Sequence, residues 1–346
     1  MNYCGLDVAM KSSYLYLTDR WGRKLTSGEI PTTAAALRQR LRPYRRGGLR
    51  VALEAGNQSA WLHDLLVELG AEVVVVNPAK VKPIAESRRK TDKIDARVLC
   101  ELLRLEGLPE PVHMPGPATR SLRGLLVARR QLVAARTKLC NVVRGMLRQE
   151  GIRLAARELN TFISWRKLLM RSFSQAHLPP ILQAYYGSFE ALTRSIQQLD
   201  RPLAQREAAD PRAAQLQTMP KVGRIASLTF LAAVDHVERF ETSRKLVSYS
   251  GLCPTVRSSG ERTEYGSISR EGRSELRAVW VQIAHLVAAD QSRSTARLRR
   301  WYRKVASHRG KKTAIVALAR KLLAIAYRLL RDGTVYQASR VCRPAA

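Results

Sequence analysis

The chain has 346 residues and carries 60 lysine and arginine side chains against 28 acidic ones, a formal net charge of +32 at pH 7. This excess favours a polyanionic partner, which for a soluble protein is usually nucleic acid. Hydrophobic residues make up 45% of the sequence, which excludes a disordered polycation, and the lack of any apolar run of about 18 residues or of a signal-peptide start argues against membrane attachment.

The first part of the chain has the pattern of a mixed α/β domain. The predicted elements are, in chain order, strands at 3–8, 14–18 and 24–30, a helix at 33–41, a strand at 49–55, a helix at 61–69, a strand at 72–77 and a helix from Thr91. The strand at 72–77 is an almost unbroken apolar run, typical of a buried strand. The order βββαβαβ followed by a helix is that of the RuvC and ribonuclease H-like fold, and we assign residues 1–110 to such a domain.

Residues 111–210 carry heptad patterns that predict a helical coiled-coil arm. One run of apolar side chains spans residues 120–149, and a second spans residues 189–203. Two such runs favour an antiparallel pair of helices. Pro202 lies inside the second run and is expected to kink or end that helix.

Residues 211–346 are predicted to be mostly helical. Residues 1–110 have a net charge of +5 and residues 111–346 a net charge of +27, so most of the positive field belongs to the later part. A helix-hairpin-helix-like entry at 219–223 is expected to contact phosphate through Lys221 and Gly223. A loop rich in glycine and hydroxyl groups at 249–272 and helices at 274–289 and 313–330 complete a fold of the class α/β plus α.

Four acidic residues of the first domain stand where a metal-dependent nuclease needs them: Asp7, Glu54, Asp92 and Asp95. Because side chains alternate along a strand, Asp7 and Glu54 leave the faces that their apolar neighbours bury, and the first and fourth strands of such a sheet are adjacent. Asp92 and Asp95 are three apart on a helix and project from one side of it. Carboxylate oxygens suit Mg²⁺, with Mn²⁺ as an alternative, and such ions assist phosphoryl transfer.

Each acid also has a structural interpretation. Carboxylates in a first helical turn interact favourably with the helix dipole, and Glu54 can pair with a nearby arginine. The occurrence of all four acids in the expected elements favours the metal site. Nearby basic residues are predicted to hold the DNA backbone beside it; they are Arg88, Arg89, Lys90 and Lys93.

An ordered set of motifs gives the chain a resemblance to a known family. The motifs are Gly5-Leu6-Asp7, Glu54, Asn77-Pro78, Lys90 to Ala96, and the segments 246–254, 258–260 and 265–277. Together they resemble the DEDD insertion-sequence transposases, the bridge-RNA-guided serine recombinases of insertion-sequence family one-hundred-ten. The resemblance covers nearly the whole chain and implies a C-terminal serine transposase domain over residues 211–346.

The resemblance implies that the four acids bind Mg²⁺ and that a serine attacks the phosphodiester of DNA. Ser259 stands at the position of this nucleophile, and its attack leaves a phosphoserine link and a free 3′-hydroxyl. Ser258 is the nearest competitor, followed by Ser267 and Ser269, whereas Tyr265 lacks the Arg-His-Arg partners of a tyrosine recombinase. In isolation, a Ser-Ser-Gly sequence is a turn.

Several arginines near this serine are predicted to contact phosphates or to stabilise the transition state; they are Arg257, Arg262, Arg270, Arg273 and Arg277. A solvated basic face is an equally good interpretation of any one of them. The resemblance further implies three partners: donor and target double-stranded DNA, a noncoding bridge RNA, and further copies of the chain in a dimer or tetramer.

Two other functions stay open from the residues themselves. One is a RuvC-type hydrolytic nuclease or junction resolvase, in which water attacks and the serine loop is structural. The other is a non-catalytic nucleic-acid-binding protein. The five scattered cysteines have no zinc-site spacing and fit reduced thiols in a bacterial or archaeal cytoplasm, in association with the nucleoid.

Overall fold

A computed structural model describes residues 1–81, 91–155, 158–171, 173, 175–259 and 262–339, and for 257–259 and 262–265 it describes the backbone alone. The chain forms two compact units, Met1–Pro115 and Gly116–Ala346. The further division of the second unit at residue 210, into an arm and a C-terminal domain, stays a prediction. None of the helices in the described ranges is long and apolar enough to span a lipid bilayer.

A five-stranded mixed sheet forms the centre of the first unit. Its strands are β1 (Asn2–Val8), β2 (Ser12–Thr18), β3 (Lys24–Pro31), β4 (Leu49–Glu54) and β5 (Glu72–Val76). The order across the sheet is β3-β2-β1-β4-β5, and β1 runs antiparallel to β2 and parallel to β4. The adjacency of β1 and β4 confirms the sequence-based prediction, and the arrangement is consistent with a RuvC-like domain.

Helices cover both faces of this sheet. They are α1 (Ala34–Leu41), α2 (Ser59–Glu68), α3 (Pro78–Val81) and α4 (Asp92–Arg104). On one face Leu6 of β1 shares a core with Leu37 of α1 and Leu62 of α2. On the other face Ala52 of β4 packs with Leu99 of α4. Each fully buried leucine stabilises the fold by about 2 kcal/mol. The alternation of apolar side chains along the strands therefore determines which face of the sheet each helix covers.

The second unit begins with two long helices joined through a short one: α5 (Pro117–Gln149), α6 (Phe162–Leu169) and α7 (Leu178–Ala209). Arg129 of α5 forms an ion pair with Asp200 of α7, with Nε 2.6 Å from Oδ1. Further along α5, Arg136 donates to the Thr193 hydroxyl at 3.4 Å. Because the partner number falls as the number on α5 rises, the two helices are antiparallel, as the heptad runs predict.

Of the two outcomes expected at Pro202, a kink or an end of the helix, the end is wrong, since α7 continues to Ala209. A proline inside a helix costs about 3 kcal/mol. The ion pair of Asp200 with Arg129 and the full burial of Leu203 lie on either side of the proline and offset that cost. Tertiary packing therefore prevails over the local helix-breaking tendency.

The rest of the second unit is a helical core that carries one β-hairpin. Its elements are α8 (Pro211–Gln217), α9 (Arg224–Val234), α10 (Ser243–Tyr249), β6 (Pro254–Ser259), β7 (Arg262–Ile268), α11 (Ser274–Ala289), α12 (Ala296–Arg309) and α13 (Lys311–Asp332). The fully buried rings of Phe230 and Trp280 pack edge to face at its centre, 5.7 Å apart. Helices α8 and α9 flank residues 218–223, where a helix-hairpin-helix entry is predicted.

Candidate functional site

The four predicted acids lie at one end of the first unit's sheet. Leu6 of β1 is paired with Leu53 of β4, so the residues that follow them, Asp7 and Glu54, come at the same level. Both acids belong to the alternate positions that face α4. Asp92 and Asp95 lie in the first turn of α4, at its end nearest these strand termini. Three elements distant in sequence thus bring the acids to one place.

The close approach of α4 to β1 depends on Gly5. A Cβ atom at this position would lie 2.0 Å from the Ala96 carbonyl oxygen and 2.5 Å from the Cys100 amide nitrogen. Only glycine therefore lets the helix backbone lie directly on the strand. Cys100 secures the packing, because its thiol lies 3.2 Å from the Tyr3 carbonyl oxygen and 3.4 Å from the Thr18 hydroxyl.

The start of α4 is set by Thr91, whose hydroxyl accepts a hydrogen bond from the Ile94 amide at 3.3 Å. This cap begins the helix at Asp92 and so places Asp92 and Asp95 in the first turn. Their charges there also interact favourably with the helix dipole. The structural interpretation of these two acids is therefore compatible with the prediction that they bind a metal ion.

Replacing Gly5 with alanine is expected to separate α4 from β1 and to lower the free energy of unfolding of the first unit by about 3 kcal/mol or more. Urea unfolding of the full chain measures this change. Gly56→Ala is the matched control, because its added Cβ would meet nothing within 4 Å, and we expect a change within about 0.5 kcal/mol. Equal stability of the two variants would show that α4 does not rest on Gly5.

Electrostatics shows that the four acids interact. Burial, and then the charges of Asp92, Asp95 and Glu54, raise the pKa of Asp7 to about 6, against an opposing hydrogen bond from the Val8 backbone. An ordinary aspartate titrates near pH 3.8. The carboxylates of Glu54, Asp92 and Asp95 therefore lie close enough to Asp7 to repel its charge.

The donor set fits a hard divalent cation by its chemistry. All four groups are carboxylates, and a cation would relieve the repulsion that, after burial, raises the pKa of Asp7. In the described ranges, which include all four acids, no three His, Cys, Asp or Glu side chains are close enough together to hold a metal ion. The acids thus share a location and a suitable donor type without a preformed coordination shell.

The predicted nucleophile lies on the hairpin of the second unit. Ser259 is the last residue of β6, where it is paired with Arg262, and Ser258 is paired with Thr263. The expectation of a loop is therefore wrong for 254–268, since the β-branched and aromatic residues among the glycines and serines favour paired strands. The side chains of the following predicted residues lie outside the described part of the chain: Arg257, Ser258, Ser259, Arg262 and Tyr265.

The base of this hairpin is fixed to the helical core. Gly272 has a φ of +87°, and a Cβ atom there would lie 2.0 Å from the Tyr249 carbonyl oxygen. Arg277 donates from Nη1 to the carbonyl oxygens of Ser250, at 3.1 Å, and Arg270, at 3.2 Å. Arg277, predicted to contact phosphate, thus joins the two ends of the hairpin segment, whereas the Arg270 side chain is exposed.

Arg273 is likewise engaged within the protein, since its Nε donates to the Tyr249 hydroxyl at 3.4 Å. Burial raises the pKa of Tyr249, but the hydrogen bond from Arg273 and the charges of Arg273 and Arg239 outweigh it and lower that pKa overall. The Tyr249 hydroxyl in turn lies 3.4 Å from the Ala233 carbonyl oxygen. Arg273 therefore links α11 to α10 and α9.

The other residues predicted to contact nucleic acid lie in different surroundings. Lys93 is exposed beside Asp92 on α4. Lys221 forms an ion pair with Asp290 at 3.0 Å, and Gly223 is the exposed N-cap of α9. Arg88, Arg89 and Lys90 lie outside the described residues.

One basic segment was missed by the sequence-based interpretation. Residues 291–331, which include α12 and most of α13, contain 13 lysines and arginines and no aspartate or glutamate. The absence of acids over such a length is the signal that identifies it. It adds a candidate nucleic-acid surface to the second unit.

Two parts of the chain match known protein families. Residues 4–151, which hold the four acids, match the DEDD transposase family of IS110. Residues 213–302, which hold the β6–β7 hairpin, match the transposase IS116/IS110/IS902 family. Together the two matches cover more than half of the chain.

Curated proteins give the same result. The chain is 26% identical over 341 residues to the transposase for insertion sequence element IS1111A of Coxiella burnetii, which covers 96% of this chain and 90% of that protein. It is 28% identical over 292 residues to a probable family 20 transposase of Pseudomonas aeruginosa, with 83% and 85% covered. It is 26% identical over 293 residues to the transposase for insertion sequence element IS1328 of Yersinia enterocolitica, again with 83% and 85% covered.

These similarities define the class of the protein as a transposase, an enzyme that acts on DNA. The chain belongs to the IS116/IS110/IS902 family of insertion-sequence transposases. The resemblance found in the sequence motifs is thereby confirmed at the level of the family.

Proposed function

We propose that this transposase excises and inserts an insertion sequence by serine attack on DNA phosphodiesters, with Ser259 as the nucleophile. The grouping of Asp7, Glu54, Asp92 and Asp95 on the α4 side of the sheet is the observation that carries the proposal. In it, these four carboxylates hold Mg²⁺ or Mn²⁺. Such ions supply electrophilic stabilisation to a phosphate and lower the pKa of an attacking hydroxyl.

The proposed covalent step exchanges one phosphate ester for another. The Ser259 oxygen forms a bond to phosphorus while the bond from phosphorus to the 3′-oxygen of the DNA breaks, and the hydroxyl proton ends on the released 3′-oxygen. Because an ester bond is kept throughout, strand exchange needs no external energy source. The step requires Ser259 to reach the carboxylates, within one chain or between two copies in a dimer or tetramer.

The proposal includes nucleic-acid partners beyond the donor and target DNA duplexes. A bridge RNA that pairs with both duplexes would read sequence, while the basic side chains of the second unit would contact backbone phosphates. The net charge of +27 over residues 111–346 supports a polyanionic partner. RNA guidance itself is supported by the sequence resemblance alone.

The covalent chemistry is tested by incubating the purified chain with end-labelled duplexes of its element's termini and Mg²⁺, followed by a denaturing gel. We expect a protein–DNA adduct that a protease shortens to a phosphoserine peptide, together with a free 3′-hydroxyl. A hydrolytic nuclease instead gives cut DNA without protein attached, and this result would overturn the serine mechanism.

RNA guidance is tested by sequencing the RNA that co-purifies with the chain expressed from its complete element. We expect one discrete species that maps beside the transposase gene and contains two segments complementary to the donor and target sites. A mixture of cellular RNAs in proportion to their abundance would indicate non-specific binding by the basic surface. That outcome contradicts RNA guidance but leaves the proposed serine mechanism unaffected.

A further inference from the structure

A groove of about 420 Å³ lies between α10, α12 and α13 of the second unit. Its floor is made by short apolar side chains of α10 and α13. Arg244, Arg320 and Lys321 stand around it, and Trp301 of α12 contributes an aromatic wall. A volume of this size is in the range of small-molecule and nucleotide sites, about 300–1,000 Å³.

The charges around the groove are unbalanced. No carboxylate lines it, and within the described residues Arg244, Arg320 and Lys321 form no ion pair. The Lys321 ammonium lies 5.0 Å from the centre of the Trp301 ring. Lysine has a flexible four-carbon stem, so this ammonium can exchange the ring for a stronger anionic partner. The groove therefore suits a ligand that combines an anion with an apolar, planar part.

The surface beside the groove extends the same charge. Arg300, Arg303 and Lys304 of α12 are exposed and, in the described part of the chain, take no part in an ion pair. They belong to the stretch 291–331, which has 13 basic residues and no acidic one. These exposed cations of α12 fit a polyanion that continues past the groove rather than a single small anion.

We propose that the groove binds one unpaired nucleotide of a nucleic-acid strand, with its base against Trp301 and its phosphates at Arg244, Arg320 and Lys321. A base in a duplex is paired and stacked on both sides, so only a single-stranded or extruded nucleotide presents its face to an aromatic side chain. DNA and RNA strands share this chemistry. The inference requires nucleic acid as the partner and is independent of the serine and the carboxylates.

The test measures binding by fluorescence anisotropy of labelled oligothymidine DNA, oligouridine RNA and a DNA duplex of equal length, in EDTA so that no cleavage occurs. Trp301→Ala is expected to weaken single-strand binding about five- to hundredfold, and Trp301→Phe much less, because stacking on one aromatic ring contributes that much. Duplex binding, which depends on the exposed cations, is expected to stay within about twofold. Loss on only one single strand identifies that strand as the occupant.

Trp21→Ala is the matched control, because Trp21 is a 65% exposed tryptophan stacked on Arg20, 4.0 Å from the ring centre, in the first unit. It is expected to bind like the wild type. Trp301 also packs against the helical core, so its replacement can also affect folding. A photochemical experiment therefore uses the wild-type protein: a strand carrying 5-iodouracil is irradiated, and the adduct is expected to map to Trp301. Equal weakening of duplex and single strand, equal loss in the Trp21 variant, or adducts confined to other segments would overturn the proposal.

Discussion

Replacing Ser259 with alanine is expected to abolish the covalent protein–DNA adduct, by at least about 1,000-fold, because no other group at that position can form the phosphate ester. DNA binding is expected to stay within about threefold of wild type, since one hydroxyl contributes little beside many phosphate contacts. Adduct formation on a denaturing gel and binding by anisotropy separate the two effects.

Ser258→Ala is the matched control for this variant. Ser258 directly precedes Ser259 in β6. The Ser258→Ala variant also loses one serine hydroxyl from the hairpin, and we expect it to retain adduct formation. A persistent adduct in the Ser259 variant, with loss in the Ser258 variant, would move the nucleophile to the neighbouring residue and contradict the assignment.

The sheet of the first unit could be predicted because its strands carry a regular alternation. In β1 the apolar Leu6 and the acidic Asp7 take opposite faces, and in β4 Leu53 and Glu54 do the same. Adjacent parallel strands then bring the two acids together. The order of elements in the ribonuclease H-like fold predicts that β1 and β4 are adjacent. The alternation of side chains along each strand predicts the face on which each acid lies.

Properties that depend on distances between elements could not be predicted in this way. The short approach of α4 to β1 rests on the missing side chain of Gly5, and a glycine in a strand has several other interpretations, such as a bulge. The pKa of Asp7 depends on burial and on three charges from β4 and α4. Sequence spacing identifies the groups but gives no measure of their interaction.

Local signals also misled where packing prevails. Glycines and serines between 249 and 272 indicate turns, yet the β-branched and aromatic residues among them favour the paired strands of 254–268. Pro202 indicates a kink or a helix end, yet α7 continues because Asp200 and Leu203 are held against neighbouring side chains. At Pro202 a non-local interaction outweighs a local preference.

Asp7→Asn is expected to stabilise the cation-free protein above pH 6 and to remove its activity. The folded-state pKa of Asp7 is about 6, above its ordinary value of 3.8, so the folded chain holds this proton more tightly than the unfolded chain. The contribution of Asp7 to wild-type stability therefore falls as the pH rises from about 4 through 6, whereas asparagine stays neutral. Above pH 7 we expect the variant to be more stable by about 1 to 2 kcal/mol, less than the full pKa difference implies because Asp7 is only partly buried and solvent screens its charge, with the difference vanishing near pH 4.

The response to Mg²⁺ then distinguishes a metal-binding site from a group of carboxylates that only repel one another. Adding Mg²⁺ is expected to raise the melting temperature of the wild type, because a cation relieves the repulsion among the carboxylates, and to raise that of Asp7→Asn much less. Cleavage by the variant is expected to fall at least about 100-fold. Glu29→Gln, which removes an exposed carboxylate from β3 of the same sheet, is expected to leave the Mg²⁺ response and cleavage unchanged. Full recombination by the Asp7 variant would show that these acids do not hold the catalytic cation.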